Sequence, residues 1–338
     1  MLDLDTAREF LKKSPSSYTA ARAVYHAWNR VSARVRGRTI GEGSVVLTDV
    51  QSLDRCLADI EKRCQTDTSK LRAELVRISY RHGESKDFEG LDPFSVAYRD
   101  QVIELQARMH GKSYHTDREG FEQADIEQRV RWQTPYGQPA SVVGAYLIGY
   151  GFLIQAMNLP LGSRVLEIGC GEGGLSYQFA KAGYNLTCIE VSPSSAEITR
   201  RALTGLETEQ VRITVLNSDV MSAALEGTFD AIVFYESFHH MPDHFKLLEW
   251  LKPKLAPGGL IAFGAEPIFP AGTATVPYPW GLRCDGESLR AIRNFGWMEL
   301  GFTWPYFDEM MKRLGFVTTR MSSKDSQWSD VVIARLAV

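Results

Sequence analysis

Glu236-Ser237-Phe238-His239-His240-Met241-Pro242-Asp243-His244 places three histidines and two acids within nine residues of a chain that has only seven histidines. An imidazole titrates near neutrality, so a histidine in such a cluster can take the proton from a hydroxyl nucleophile. Upstream, Glu167-Ile168-Gly169-Cys170-Gly171-Glu172-Gly173-Gly174 follows a short apolar run, Arg164-Val165-Leu166, and precedes the helical pattern that opens at Leu175. A strand, a glycine turn and a helix present backbone N–H groups to a ligand with no Cβ in the way. The next apolar run, Leu186-Thr187-Cys188-Ile189-Glu190, ends in an acid able to accept from both hydroxyls of a ribose. Together these residues imply a nucleoside-bearing cofactor. Oxygen and nitrogen donors at Glu236, His239, His240, Asp243 and Glu266 match no specific metal-binding spacing, and no metal is assigned.

The glycines alone leave the cofactor open, because Gly169, Gly171 and Gly174 also satisfy the G-x-G-x-x-G spacing of dinucleotide-binding folds. Glu167 argues against a dinucleotide. A carboxylate two residues before the first glycine would repel a pyrophosphate, yet it suits a ligand carrying an ammonium and a sulfonium. The pattern Glu167-x-Gly169-x-Gly171-x-Gly173 resembles motif I of the class I S-adenosylmethionine-dependent methyltransferases. Glu190 then matches the family's ribose-binding acid, and Asn217-Ser218-Asp219-Val220 its adenine-contacting segment. Asp230-Ala231-Ile232-Val233-Phe234-Tyr235-Glu236 resembles the fourth strand, and Leu255-Ala256-Pro257-Gly258-Gly259-Leu260 the turn into the fifth. The resemblance spans roughly residues 145–338. It implies S-adenosyl-L-methionine as cofactor, held by Glu167, Gly169, Cys170, Gly171, Gly173, Glu190, Val191, Asp219, Val220 and Glu236. It also makes His240 the first candidate base, since many small-molecule members carry a histidine there, with His239 second.

These residues need a sheet to position them. From Gly162 onward strand-like runs alternate with helical patterns, the signature of a parallel sheet covered on both faces. Strands are expected at about 164–169, 186–191, 211–217, 230–235, 259–265, 315–321 and 329–336. Only Ser322 to Gln327 separates the last two, too few residues for a crossover helix, so they should form an antiparallel hairpin. The expected class is α/β: a Rossmann-like seven-stranded, mostly parallel sheet with an antiparallel terminal hairpin, plus a helical N-terminal region. The division falls between residues 1–139, a scaffold, oligomerisation element or lid, and residues 140–338, the methyltransferase domain.

Residues 267–303 read as a long loop inserted after the fifth strand, and a loop of that length beside a site is usually functional. Glu266, Trp280 and Arg283 are candidate acceptor contacts there, since flat rings cover the C–H faces of sugars and charged forks bind hydroxyls. The segments Asp92-Pro93-Phe94-Ser95-Val96-Ala97-Tyr98-Arg99 and Val276-Pro277-Tyr278-Pro279-Trp280-Gly281-Leu282 are similar to bacterial methyltransferases associated with surface-glycan assembly. That resemblance implies the hydroxyl of a saccharide or glycan intermediate as acceptor. Another small metabolite, methylated at O, N or C, and an RNA or protein acceptor are the alternatives. The acid or asparagine followed by two prolines and an aromatic that marks base N-methylation is absent at Glu236-Ser237-Phe238-His239, which weighs against nucleic acid.

Before residue 140, Leu53, Leu57, Ile60, Cys64, Leu71, Leu75 and Ile78 recur at helical spacing and predict an amphipathic helix or pair of helices packed on the domain or on a second subunit. Phe10 to Ile40 contains no acid but carries Lys12, Lys13, Arg22, Arg30, Arg34, Arg36 and Arg38, a basic stretch suited to an anionic partner such as a membrane surface. The family resemblance implies that the segment before the first strand folds over the cofactor, so Arg131-Trp132-Gln133-Thr134-Pro135-Tyr136-Gly137 is expected to close there, with Arg131 as candidate partner of its carboxylate. A net charge of −3 disfavours a nucleic-acid binder. Five cysteines without a C-x-x-C pair suggest free thiols in a reducing cytoplasm. No run is apolar enough over ~20 residues to be expected to span a membrane, and Val142 to Met157 reads as a buried helix.

Overall fold

The computed structural model describes residues 45–65, 67–81, 87–120, 125–131 and 139–337. The basic stretch between Phe10 and Ile40, and residues 132–137 of the proposed closing segment, lie outside them. Two short parallel strands, β1 (Val45–Leu47) and β2 (Ile78–Tyr80), enclose helices α1 (Val50–Cys64) and α2 (Thr68–Leu75). Asp49 and Asp67 cap the two helices by accepting from the backbone N–H of Ser52 and Lys70, satisfying donors that the first turn leaves unpaired. Leu53, Leu57, Ile60 and Cys64 are the buried stripe of α1, as their spacing predicts. Helix α3 (Val96–His110) is capped by Ser95 and stopped by Gly111 in the left-handed region; α4 (Ile126–Arg131) and α5 (Ala140–Met157) follow.

The central sheet is built from β3 (Arg164–Ile168), β4 (Asn185–Glu190), β5 (Ile213–Asn217), β6 (Phe229–Tyr235) and β7 (Leu255–Gly264), joined at its far edge by two C-terminal strands. Helix α6 (Gly174–Lys181) leaves the glycine turn, α7 (Pro193–Leu203) links β4 to β5, and α8 (His244–Leu251) links β6 to β7. After β7 come β8 (Ile268–Phe269), β9 (Trp280–Leu282), α9 (Gly286–Phe295), β10 (Leu300–Thr303) and α10 (Trp304–Arg313). The chain ends in β11 (Phe316–Ser322) and β12 (Asp330–Leu336). The sheet order is β11-β12-β7-β6-β3-β4-β5, with β12 antiparallel to both neighbours and every other pair parallel. All seven strands expected from sequence are present, including the hairpin. The chain leaves β3 in opposite directions toward β4 and β6, which opens a crevice at the carboxyl ends of the strands.

Residues 267–303 are not a loop. Strands β8, β10 and β9 form a second sheet, with β10 parallel to β8 and antiparallel to β9. Strands of two to four residues are too short for an alternating pattern to register, which is why the sequence read as irregular. This small sheet shares one apolar core with α1 and α3: Leu53, Leu57, Tyr98 and Leu105 are buried in the same cluster as Trp280, Leu282, Ile292 and Phe302. The two segments similar to glycan-associated enzymes meet here, because Tyr98 Oη donates to the Trp280 carbonyl (2.9 Å) and Trp280 Nε1 donates to the Pro93 carbonyl (2.8 Å). Ion pairs Arg290–Glu61 (2.7 Å) and Arg293–Asp54 (2.6 Å) fasten α9 to α1.

Helix α5 departs from expectation in the other direction. Only Ala145, Gly149, Leu153 and Met157 are buried along its 18 residues, while Leu147 and Ile148 are exposed. By length and composition alone it is apolar enough to cross a membrane, but its buried face is docked on the sheet beside Tyr235 and Trp328.

Candidate active site

A cavity of about 1120 Å³ runs along the crevice from the glycine turn to the histidine loop. Gly169, Cys170, Gly171 and Gly173 line one end, with Glu167, Glu190, Val191, Asp219 and Val220 around them and Glu236 and His240 further along. Gly169 has φ +73°, and a Cβ built there would lie 2.6 Å from the Cβ of Ser237, so the turn fits against the histidine loop only without a side chain. Glu190 accepts from Gly171 N–H (2.9 Å) and Ser192 N–H (2.8 Å), one at each carboxylate oxygen, which fixes the group and leaves each oxygen a further lone pair. Glu167 is fully buried against the Ser176 hydroxyl (2.6 Å) and the Cys188 thiol. Burial, opposed by those hydrogen bonds, pushes its carboxyl up to about 8, so a cationic group beside it would favour the ionised form. Glu236, held at φ +51°, accepts from Tyr146 Oη (2.9 Å) and Trp328 Nε1 (3.0 Å).

At the other end His240 faces the cavity while its Nδ1 turns inward, 2.8 Å from the Met298 carbonyl oxygen and 3.1 Å from Glu119 Oε2. Tyr114, Thr116, Glu119 and Gly120 cross over this region, and Ile103, Tyr146, Tyr150, Met241, Pro242 and Trp297 supply apolar and aromatic wall. Burial would lower the His240 pKa, but the Glu119 carboxylate, with Glu299 and Glu266 behind it, carries it up to about 9. Sequence reasoning missed Glu119, because nothing in a single chain ties an acid in an aperiodic segment to a histidine so far downstream.

Five proposed contacts do not line this cavity. His239 is buried with Nδ1 2.8 Å from Glu266 Oε2, and burial holds its pKa well below the ordinary imidazole value. Glu266 also accepts from the N–H groups of Ser237, Phe238 and His239 and so shapes the loop that presents His240, with burial pushing its carboxyl up to about 7. Trp280 is 2% exposed, packed between Tyr98 and His244. Arg283 is paired with Glu299 in the insertion. Arg131 is exposed; Arg129, two residues earlier on α4, lines the cavity instead and pairs with Glu172 of the glycine turn at 2.6 Å. Among the described residues, His239, His240 and Glu299 bring donor atoms within 4.8 Å of one another, but the Arg283 guanidinium on Glu299 already balances charge there.

The family model described as "Methyltransferase domain" matches residues 151–316, which contain the glycine turn, Glu190 and the histidine loop. Residues 151–316 are a class I S-adenosylmethionine-dependent methyltransferase domain. The methyltransferase is 29% identical over 167 residues to a ubiquinone biosynthesis O-methyltransferase of Xanthomonas axonopodis pv. citri, covering 47% of this chain and 68% of that one. It is 34% identical over 159 residues to the protein of the same name in Xanthomonas oryzae pv. oryzae, covering 46% and 65%. Similarity to these curated relatives thus spans about two thirds of their length and under half of this chain. Magnesium protoporphyrin IX methyltransferase from Synechocystis, solved with bound SAH, covers 71% of this chain and 98% of its own at 16% identity, with a TM-score of 0.41. The cofactor of the methyltransferase is S-adenosylmethionine.

Proposed function

We propose that the methyltransferase O-methylates a small molecule bearing a hydroxyl on a flat, apolar body, with His240 as general base. The observation that carries this reading is one cavity holding both the glycine turn and His240, larger than an adenosyl cofactor needs and walled by Ile103, Tyr146, Tyr150, Met241 and Trp297 on the acceptor side. The curated relatives, named for O-methylation in ubiquinone biosynthesis, support the same class of acceptor atom. Of the two supports for a saccharide acceptor, the contacts Trp280 and Arg283 lie outside the cavity, which leaves the resemblance of residues 92–99 and 276–282 to glycan-associated methyltransferases. Methyl transfer from a sulfonium releases a neutral thioether, so the protein has to supply in-line placement and removal of the hydroxyl proton. In this assignment Glu190 accepts from the ribose, Asp219 and Val220 border the adenine, and Glu167 faces the cationic methionyl end. The free cysteines fit a reducing cytoplasm.

Two measurements test the reading. Methyl transfer is expected to 3,4-dihydroxybenzoate and related phenols in preference to methyl glycosides, RNA or protein; transfer confined to glycosides would restore the saccharide acceptor. Glu190→Ala is expected to weaken S-adenosylmethionine binding by ~1–3 kcal/mol in calorimetry, because ribose hydroxyls lose their acceptor in a buried site. An affinity within twofold of the parent would remove Glu190 from that role.

A further inference from the structure

A strap of the N-terminal region, carrying Tyr114, Thr116, Glu119 and Gly120, lines the cavity beside His240. Its short turn Thr116–Arg118 is pinned by Arg118 Nη1 donating to the Ser113 carbonyl (2.7 Å), and Tyr114 Oη lies 3.4 Å from the His240 carbonyl. Glu119 then points inward. Its Oε1 accepts from Met298 N–H at 2.7 Å, and its Oε2 lies 3.1 Å from His240 Nδ1, which is also 2.8 Å from the Met298 carbonyl oxygen, with Tyr114 beside the carboxylate. Gly120 follows at φ +95°, where a Cβ would stand 2.8 Å from the Cβ of Ser192 beside Glu190, so the strap fits tightly onto the cofactor side as well.

We propose that Glu119 is the positioning residue of His240: with the Met298 carbonyl it holds Nδ1 inward and leaves Nε2 for the acceptor hydroxyl, and its charge stabilises the imidazolium formed when the proton arrives. This rests on the base assignment made above and extends it to a residue outside the methyltransferase domain. In the step, neutral His240 takes the hydroxyl proton at Nε2 while an oxygen lone pair forms the new C–O bond. The C–S bond breaks with its electrons going to sulfur, S-adenosylhomocysteine leaves as a neutral thioether, and the proton passes from His240 to solvent after product release. An aligned carboxylate behind the imidazole raises its basicity and fixes its ring plane. The other titratable and charged groups around His240 are Tyr114 beside Glu119, Glu299 from the insertion with Arg283 paired to it, Glu266 and His239 from the strand end and loop beside it, and Glu190 across the cofactor site. Of these, Glu266 and Glu299 already have other hydrogen-bonded partners, His239 for Glu266 and Arg283 for Glu299.

The test reads the imidazole itself and needs no acceptor. The side-chain 15N resonances of the full chain, saturated with S-adenosylhomocysteine, are followed against pH, with His240→Gln assigning the signal. The parent is expected to titrate well above an ordinary histidine, and Glu119→Gln to bring the midpoint down by about one unit or more. Glu119→Asp should recover part of the shift, which a purely structural role would not do. A parent midpoint below about 7, or a Glu119→Gln variant that binds S-adenosylhomocysteine with its midpoint unmoved, overturns the proposal. The parent measurement decides even where Glu119→Gln fails to fold. The base assignment fails separately, on undiminished turnover of 3,4-dihydroxybenzoate by His240→Gln.

Discussion

Replacing His240 with alanine is expected to lower turnover by ~100-fold or more while cofactor affinity stays within about twofold. The side chain lies beyond the glycine turn and Glu190, so its loss removes a proton acceptor and leaves the cofactor's contacts in place. In the parent the rate should rise with pH, since only the neutral imidazole can accept a proton and its pKa is carried up to about 9. The stability linkage runs the opposite way. A histidine whose pKa is higher folded than unfolded adds stability that is complete below its ordinary value of 6.5 and disappears as pH rises through about 9. Activity and the ion pair's contribution to stability therefore cross over in one alkaline window. Turnover and thermal midpoints measured across that range check both signs, and a histidine variant that keeps the rising limb would assign the base elsewhere.

Trp280→Ala is expected to cost ~3–5 kcal/mol of stability, the range for truncating a buried aromatic. Trp280 has ring centroids of Tyr98 at 5.2 Å, His244 at 4.5 Å and Tyr306 at 6.0 Å, and its indole N–H would leave the Pro93 carbonyl unpaired. Urea unfolding measures the loss, and calorimetry on the remaining folded protein should find S-adenosylhomocysteine binding intact. A normal unfolding curve with a raised acceptor KM would instead return Trp280 to the acceptor site.

The central sheet was legible because its signals are local. Buried parallel strands are continuous apolar runs, the glycine turn needs its residue types at fixed spacing, and Ser322 to Gln327 leaves room only for a hairpin. The cofactor end of the cavity was legible for the same reason, with Glu167, Gly169 and Glu190 lying within one strand–turn–helix–strand unit. The acceptor end is made of distant pieces. Glu119 meets His240 across a chain separation that no periodicity encodes, and Trp297 arrives from the insertion. Trp280 and Arg283 were misread because an aromatic or charged side chain in an irregular stretch looks the same whether it faces a ligand or a core. The burial of Trp280 depends on Tyr98 of α3, a helix that sequence reasoning did not place.

The shared core of α1, α3 and the insertion also orders events during synthesis. Asp54 finds Arg293 only 239 residues later, and Tyr98 must wait 182 residues for the Trp280 carbonyl. A nascent chain therefore leaves the ribosome with the stripe of Leu53, Leu57 and Ile60 only partly covered until α9 has been translated. Contacts so distant are slow to form, and apolar surface left waiting is what chaperones hold and what aggregates when they do not. Helix α1 thus completes its packing only after α9 has been made.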